Sequence, residues 1–152
     1  MRLSLDLIDL STTFVNTLKD RELDLRGNKL VALENLSATR DINDAIDLSD
    51  NDLKSLDGFA PLRRLKHLYV SNNRISKLDP LLSSKIPSLE TLILTGNLLS
   101  DLADLRSLVL FNQLKTLSLI DNPVSKRPHY RLFVIDLCPY LRVLDFERIT
   151  IK

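Results

Sequence analysis

The chain has 152 residues, 44% of them hydrophobic and 27% charged, the composition of a folded domain long enough to bury a core. One cysteine, Cys138, excludes an internal disulfide and points to a reducing intracellular compartment; no run approaches the ~18 apolar residues of a membrane span, and aspartates interrupt the opening "MRLSLDLIDLSTTF" where a signal peptide needs an unbroken apolar stretch. The net charge of +1 conceals an asymmetry, because residues 1–60 hold seven Lys/Arg against twelve Asp/Glu and residues 61–152 hold fourteen against eight, a split that suits a basic partner at one end and an acidic one at the other.

In the first twenty residues, Leu3, Leu7, Leu10, Phe14 and Leu18 follow helical spacing and predict an amphipathic helix that covers whatever comes next. A repeat then begins. "LDLRGNKL" (23–30), "IDLSDNDL" (46–53), "LYVSNNRI" (68–75), "LILTGNLL" (92–99) and "LSLIDNPV" (117–124) all read apolar-x-apolar-x-x-Asn-x-apolar. Asn28, Asn51, Asn73, Asn97 and Asn122 are spaced 23, 22, 24 and 25 residues apart, the period and pattern of a leucine-rich repeat.

The physics of the motif accounts for each position. The apolar-x-apolar pair is a short strand whose inward side chains bury only against the neighbouring repeats. The asparagine follows at the turn, where its amide both donates and accepts and so pairs backbone groups the turn would strand, building a ladder along the stack. The returning limbs carry Leu30, Leu33 and Leu36, then Leu53, Leu56 and Phe59, then Ile75, Leu78 and Leu81, spaced for short helical turns on the convex side. In the fourth limb "SDLADLRSLVLF" predicts a longer helix with Ser100 as its N-cap. Toward the end, Tyr130, Phe133, Val134 and Leu137 share one helical face between Pro128 and Pro139. "RVLDF" then reads as a sixth strand, and Tyr130, Phe133 and Cys138 as core. The expected architecture is an α/β leucine-rich-repeat solenoid, with a short parallel β-sheet on its concave side and short helices or 3-10 turns on its convex side. It forms a single domain over 1–152: an N-terminal helical cap (1–20), five repeats (21–124) and a C-terminal cap (125–152).

Residues between the inward leucines line the concave face. They are Glu22, Asp24 and Arg26; Ala45, Asp47 and Ser49; His67, Tyr69 and Ser71; Thr91, Ile93 and Thr95; Thr116, Ser118 and Ile120; then Val143, Asp145 and Glu147. Carboxylates come first, an imidazole and a phenol in the middle, hydroxyls and isoleucines last. An aromatic and isoleucines with little charge resemble an interface centre, and the flanking carboxylates favour a partner with a basic rim. Basic residues gather elsewhere, as Arg63, Arg64 and Lys66 in "LRRLK" and as Lys126, Arg127, His129 and Arg131 in "SKRPHYR", with Arg142, Arg148 and Lys152 further on. Such clusters fit phosphate contact.

No paired-cysteine metal spacing, H-E-x-x-H, P-loop or G-x-S-x-G occurs, and the two histidines fall in different repeats. The expectation is therefore a binding platform rather than an enzyme, with no metal, cofactor or small-molecule substrate.

Several stretches go beyond what the period demands. "DRELDLRGNKLVALENLSAT", "DAIDLSDNDLKSLDGFAPLRRLK" and "NPVSKRPHYRLFVIDLCPYLRVLDF" closely resemble the A-prime proteins of the U2 small nuclear ribonucleoprotein, with "RELDLRG", "ENLSAT" and "LDGF" as the distinguishing segments. That resemblance implies a nuclear, non-enzymatic splicing factor. Its concave face would hold a helix of the RRM protein B-double-prime, and the pair would bind the terminal stem-loop of U2 snRNA. Glu22, Asp24 and Asp47 lie in matching motifs and would meet basic residues of that helix. His67 and Tyr69 occupy matching strand positions, and Lys126, Arg127 and His129 would lie near the RNA stem. The alternative is another intracellular adaptor of the phosphatase-regulatory or acidic-nuclear-phosphoprotein type, sharing repeat and cap but not those segments.

Overall fold

A computed structural model of the chain describes residues 7, 12–16, 19–33 and 41–150. One sheet runs through the described residues in strict chain order: β1 (Thr12–Val15), β2 (Arg21–Asp24), β3 (Ala45–Asp47), β4 (His67–Tyr69), β5 (Thr91–Ile93), β6 (Thr116–Ser118), β7 (Val143–Leu144) and β8 (Glu147–Arg148). From β2 to β7 every pair is parallel, with Glu22, Ala45, His67, Thr91, Thr116 and Val143 in one register row. Consecutive parallel strands two to four residues long, one per repeat, are the leucine-rich-repeat solenoid that the period predicts.

Inward leucines fill the core behind the sheet. Leu25, Leu48, Val70, Leu94 and Leu119 are fully buried in one column, and Leu30, Leu53, Ile75, Leu99 and Val124 in the next. The asparagine ladder closes the turns between them. Asn73 Nδ2 donates to the carbonyl of Val70 in its own repeat (3.2 Å) and of Leu48 in the preceding one (3.0 Å), while its Oδ1 accepts the Leu53 N–H (3.0 Å). Asn51, Asn97 and Asn122 repeat this arrangement. Asn28 has no preceding repeat to reach, bonds Leu25 O at 2.9 Å, and is only half-buried.

A second column runs beside that ladder. Gly27, Asp50, Asn72, Gly96 and Asp121, each immediately before its asparagine, all have positive φ between 56° and 73°. Only Gly, Asn and Asp occupy the position, the residues that enter the left-handed region at least cost.

Both ends depart from expectation. The predicted N-terminal helix does not extend through Phe14, which lies in β1, antiparallel to β2 and paired with Glu22; Leu7 is helical and packs on the core, while Leu3, Leu10 and Leu18 lie outside the described residues. An antiparallel edge strand covers the open end of the sheet and pairs its backbone directly. At the other end the chain turns back after β7. Asp145 and Phe146 have φ of 54° and 64° and form a two-residue turn into β8, which pairs antiparallel with β7. Asp145 and Glu147 are therefore not a continuation of the concave row.

Among the described residues the second limb carries only turns and irregular backbone, and short helices appear from the third limb on. Leu81 is 66% exposed as the N-cap of the short helix α1 (Leu82–Lys85), and Leu82 is buried in its place. Leu36 lies outside the described residues. In the fourth limb Leu102–Leu110 is a 3-10 helix whose N-cap is Asp101 rather than Ser100, with the Asp104 carboxylate accepting the Asp101 N–H at 3.2 Å. A second 3-10 turn, Pro123–Lys126, leads to helix α2 (Tyr130–Leu137). Tyr130, Val134 and Cys138 are buried there, with Phe133 and Leu137 packed on the core. Among the described residues no helix is long and apolar enough to cross a membrane.

Candidate protein-binding face

Because the six parallel strands share one register, the concave side chains stand in rows that cross the sheet. The central row is Asp24, Asp47, Tyr69, Ile93 and Ser118; the row on its N-terminal side begins Glu22, Ala45, His67, Thr91 and Thr116. The gradient from carboxylate to aromatic to aliphatic, expected from strand alternation, is present in space.

Each front carboxylate is held by the protein's own donors. Asp24 accepts the Arg26 N–H (3.0 Å), Nε (3.2 Å) and Nη2 (3.4 Å), and Asp47 Oδ2 lies 3.7 Å from the same Nε. Burial pushes the Asp24 carboxyl up, but the Arg26 hydrogen bonds outweigh it and hold the group below the usual carboxylate value. Asp47 also accepts the Ser49 N–H at 2.9 Å, and Glu22 accepts Asn16 Nδ2 at 3.3 Å.

His67 is fixed from both sides, by Thr91 Oγ1 at 2.8 Å on Nδ1 and by the Asp20 carboxylate at 3.3 Å on Nε2. The fully buried Ala45, between Glu22 and His67 in its row, leaves room for the imidazole to reach a residue two strands away. Asp20 was not foreseen as part of the face. Its counterparts in later repeats are Asn43 and the buried Leu65, Leu89 and Leu114, so the repeat pattern gives it no signal. Tyr69 is half-buried; burial first, then the charges of Glu22, Asp20 and Asp47, raise its hydroxyl pKa and keep it a neutral donor.

Two expected contact residues are buried among their neighbours on the face. Ser118 is fully buried and bonds Thr95 Oγ1 at 2.8 Å, and Ser49, 9% exposed, accepts the Ser71 N–H at 3.1 Å. The surface that remains open is Glu22, Asp24, Arg26, Asp47, His67, Tyr69, Ser71, Thr91, Ile93, Thr95, Thr116 and Ile120.

The basic residues do not converge. Arg63 and Arg64 precede β4 and bond Asp41 through their backbone N–H groups, with Arg64 Nε on Asp44 at 2.9 Å. Lys126, Arg127 and His129 follow β6 and are exposed, with Arg127 bridging to Asp101 (2.8 Å) and the Ser100 carbonyl (3.0 Å). In a parallel sheet, before and after a strand are opposite edges, so these are two separate clusters. Lys152 lies outside the described residues. No group of three His, Cys, Asp or Glu side chains arranged to hold a metal occurs among the described residues.

Known proteins match this chain along its length. The leucine-rich-repeat family pattern covers residues 1–152. The chain is 48% identical over 152 residues to the U2 small nuclear ribonucleoprotein A′ of Homo sapiens and 48% identical to that of Mycosarcoma maydis, covering 60% and 62% of those proteins. It therefore spans about three-fifths of the length of the curated relatives it matches. A crystal structure of the Drosophila melanogaster SNF/U2A′ complex contains a chain that superposes with a TM-score of 0.97 at 48% identity, over 99% of this chain and 86% of that one.

Proposed function

The chain belongs to the leucine-rich-repeat family, among the A′ proteins of the U2 small nuclear ribonucleoprotein, and from that premise we propose that it is a non-enzymatic spliceosomal scaffold acting in the nucleus. Its concave face receives one α-helix of an RRM protein of the B-double-prime type, and the pair binds the U2 snRNA stem-loop, with RNA contacts made mainly by the partner.

The observation that carries this reading is the central row, in which Asp24 and Asp47 grade through Tyr69 into Ile93. Five inter-strand steps of about 4.8 Å make the face roughly 24 Å long, the span of about 16 helical residues. A helix laid along it sets basic residues against β2 and β3 and an apolar stretch against β5 and β6. The named SNF complex of a 48% identical chain supports an RRM partner. The two basic edges lie off this face, where they can meet phosphate while the helix is bound; lacking a base-stacking platform, they give only weak RNA affinity alone.

Titration of the chain with SNF, with and without U2 stem-loop RNA, tests the reading. We expect a complex that double charge reversal, Asp24→Lys with Asp47→Lys, abolishes. A complex indifferent to that reversal, or tight sequence-specific RNA binding by the chain alone, contradicts it.

A further inference from the structure

Arg26 lies two residues beyond β2, in the turn at the end of the first repeat strand, and its guanidinium folds back toward the carboxylates of the concave face. It reaches Asp24 at 3.2 Å in its own repeat and Asp47 at 3.7 Å in the next. The two residues are register partners on adjacent parallel strands, whose backbones lie about 4.8 Å apart. One cation therefore serves both, and Glu22 adds to the field that holds it. The Arg26 side chain is nonetheless 57% exposed, and an exposed ion pair contributes little to stability and exchanges readily.

The pairing reproduces, within the chain, what a basic side chain of a partner would do at the same place. No other Arg or Lys of the described residues forms an ion pair with Asp20, Glu22, Asp24 or Asp47. We propose that Arg26 is a displaceable latch on the Asp24–Asp47 pair, occupying the cation position until a partner side chain replaces it. It thereby sets how much positive charge a partner must bring. This inference rests on the concave face being the partner surface, and it makes a prediction that the reading alone does not. Removing a positive charge from a binding surface that Arg26 merely lined would favour a cationic partner through the general field, to the same extent whether or not Asp24 and Asp47 are charged. Removing a latch strengthens binding of cationic partners only while the two carboxylates are there to be freed.

The test compares the unmodified chain, Arg26→Ala, and Asp24→Asn/Asp47→Asn with and without Arg26→Ala. The probes are SNF, a lysine-bearing amphipathic helical peptide, and the same peptide with its lysines replaced by glutamine. Arg26→Ala should bind the lysine peptide and SNF about two- to fivefold more tightly at low salt, the gain fading at high salt and absent for the glutamine peptide. The gain should vanish when Asp24 and Asp47 are already asparagine. Weaker or unchanged binding by Arg26→Ala, with the unmodified chain binding normally, overturns the latch and leaves the partner surface standing. Failure of the unmodified chain to bind SNF or either peptide overturns both, and thermal melts of each variant confirm that it is folded.

Discussion

The Asp145 carboxylate accepts the backbone N–H of Leu119 at 2.7 Å, standing where the next strand's carbonyl would stand. In the preceding repeats the equivalent N–H groups of Leu25, Leu48, Val70 and Leu94 bond Asp47, Tyr69, Ile93 and Ser118 carbonyls. The sheet turns back after β7, and the side chain supplies the missing acceptor. Its other oxygen accepts the Tyr130 hydroxyl at 2.8 Å, tying helix α2 to the sheet end. Asp145→Ala should therefore destabilise the chain by about 2–4 kcal/mol, because a buried N–H and a buried hydroxyl both lose their partner. Asp145→Asn keeps one acceptor and should cost less. Urea denaturation of both variants measures the difference, and equal losses would contradict the acceptor role.

Gly96 meets two constraints at once. Its φ is +73°, and an added Cβ would stand 2.5 Å from Asn72 Oδ1 in the neighbouring repeat. Gly96→Ala should cost about 1–3 kcal/mol from the left-handed backbone and the contact together. Asn72→Ala in the same chain removes the contact and leaves the backbone strain. A double-mutant cycle by thermal denaturation should therefore give a coupling that favours the pair, and strict additivity would show that the contact is not felt.

Asn43 occupies a slot filled by Leu65, Leu89, Leu114 and Leu141 in the later repeats, and it is 5% exposed. Its side-chain Oδ1 has no hydrogen-bond partner among the described residues. Asn43→Leu should raise stability by about 1–2 kcal/mol by removing an unpaired buried acceptor and adding apolar burial. A lower melting temperature for the variant would count against this.

Burial pushes the Cys138 thiol up to about 11. Its folded value lies above that of an unfolded cysteine, about 8.5, so the unfolded chain releases its proton first as pH rises. The thiol's contribution is fully present below about pH 8.5 and is lost progressively up to about 11, a few kcal/mol at most. Melting temperatures measured from pH 8 to 11 should fall more steeply for the unmodified chain than for Cys138→Ala; parallel curves would rule the thiol out.

Ser118→Ala and Ile93→Ala separate the open face from the sealed one. Ser118 is fully buried, so its loss should lower stability by about 1 kcal/mol through the Thr95 bond and leave SNF affinity unchanged. Ile93→Ala should do the reverse, weakening SNF binding several-fold with little effect on folding. A binding defect in Ser118→Ala alone would contradict this assignment.

The residues that were legible in advance are those whose role repeats. Asn51, Asn73, Asn97 and Asn122 announce themselves because the same turn recurs every repeat and needs the same amide each time. The charge gradient was equally readable, since alternation along each strand decides which side chains share its face. Residues whose role occurs once were not. Phe14 carries helical spacing yet lies in an edge strand, because the open end of a parallel sheet needs backbone partners that a helix does not provide. Asp145 continues the alternation in sequence yet leaves it in space.

By itself, then, the sequence determined the stack: its period, its buried columns, its turns and the order of chemistry along the concave face. These follow from local spacing combined with nearest-neighbour packing, and every repeat states them again. The tertiary structure alone decided that Ser118 is sealed, that His67 reaches back to Asp20, that Arg26 lies across Asp24 and Asp47, and that Asp145 ends the sheet. Each depends on side chains from different strands or from the sheet's ends meeting at a particular distance, which no period encodes.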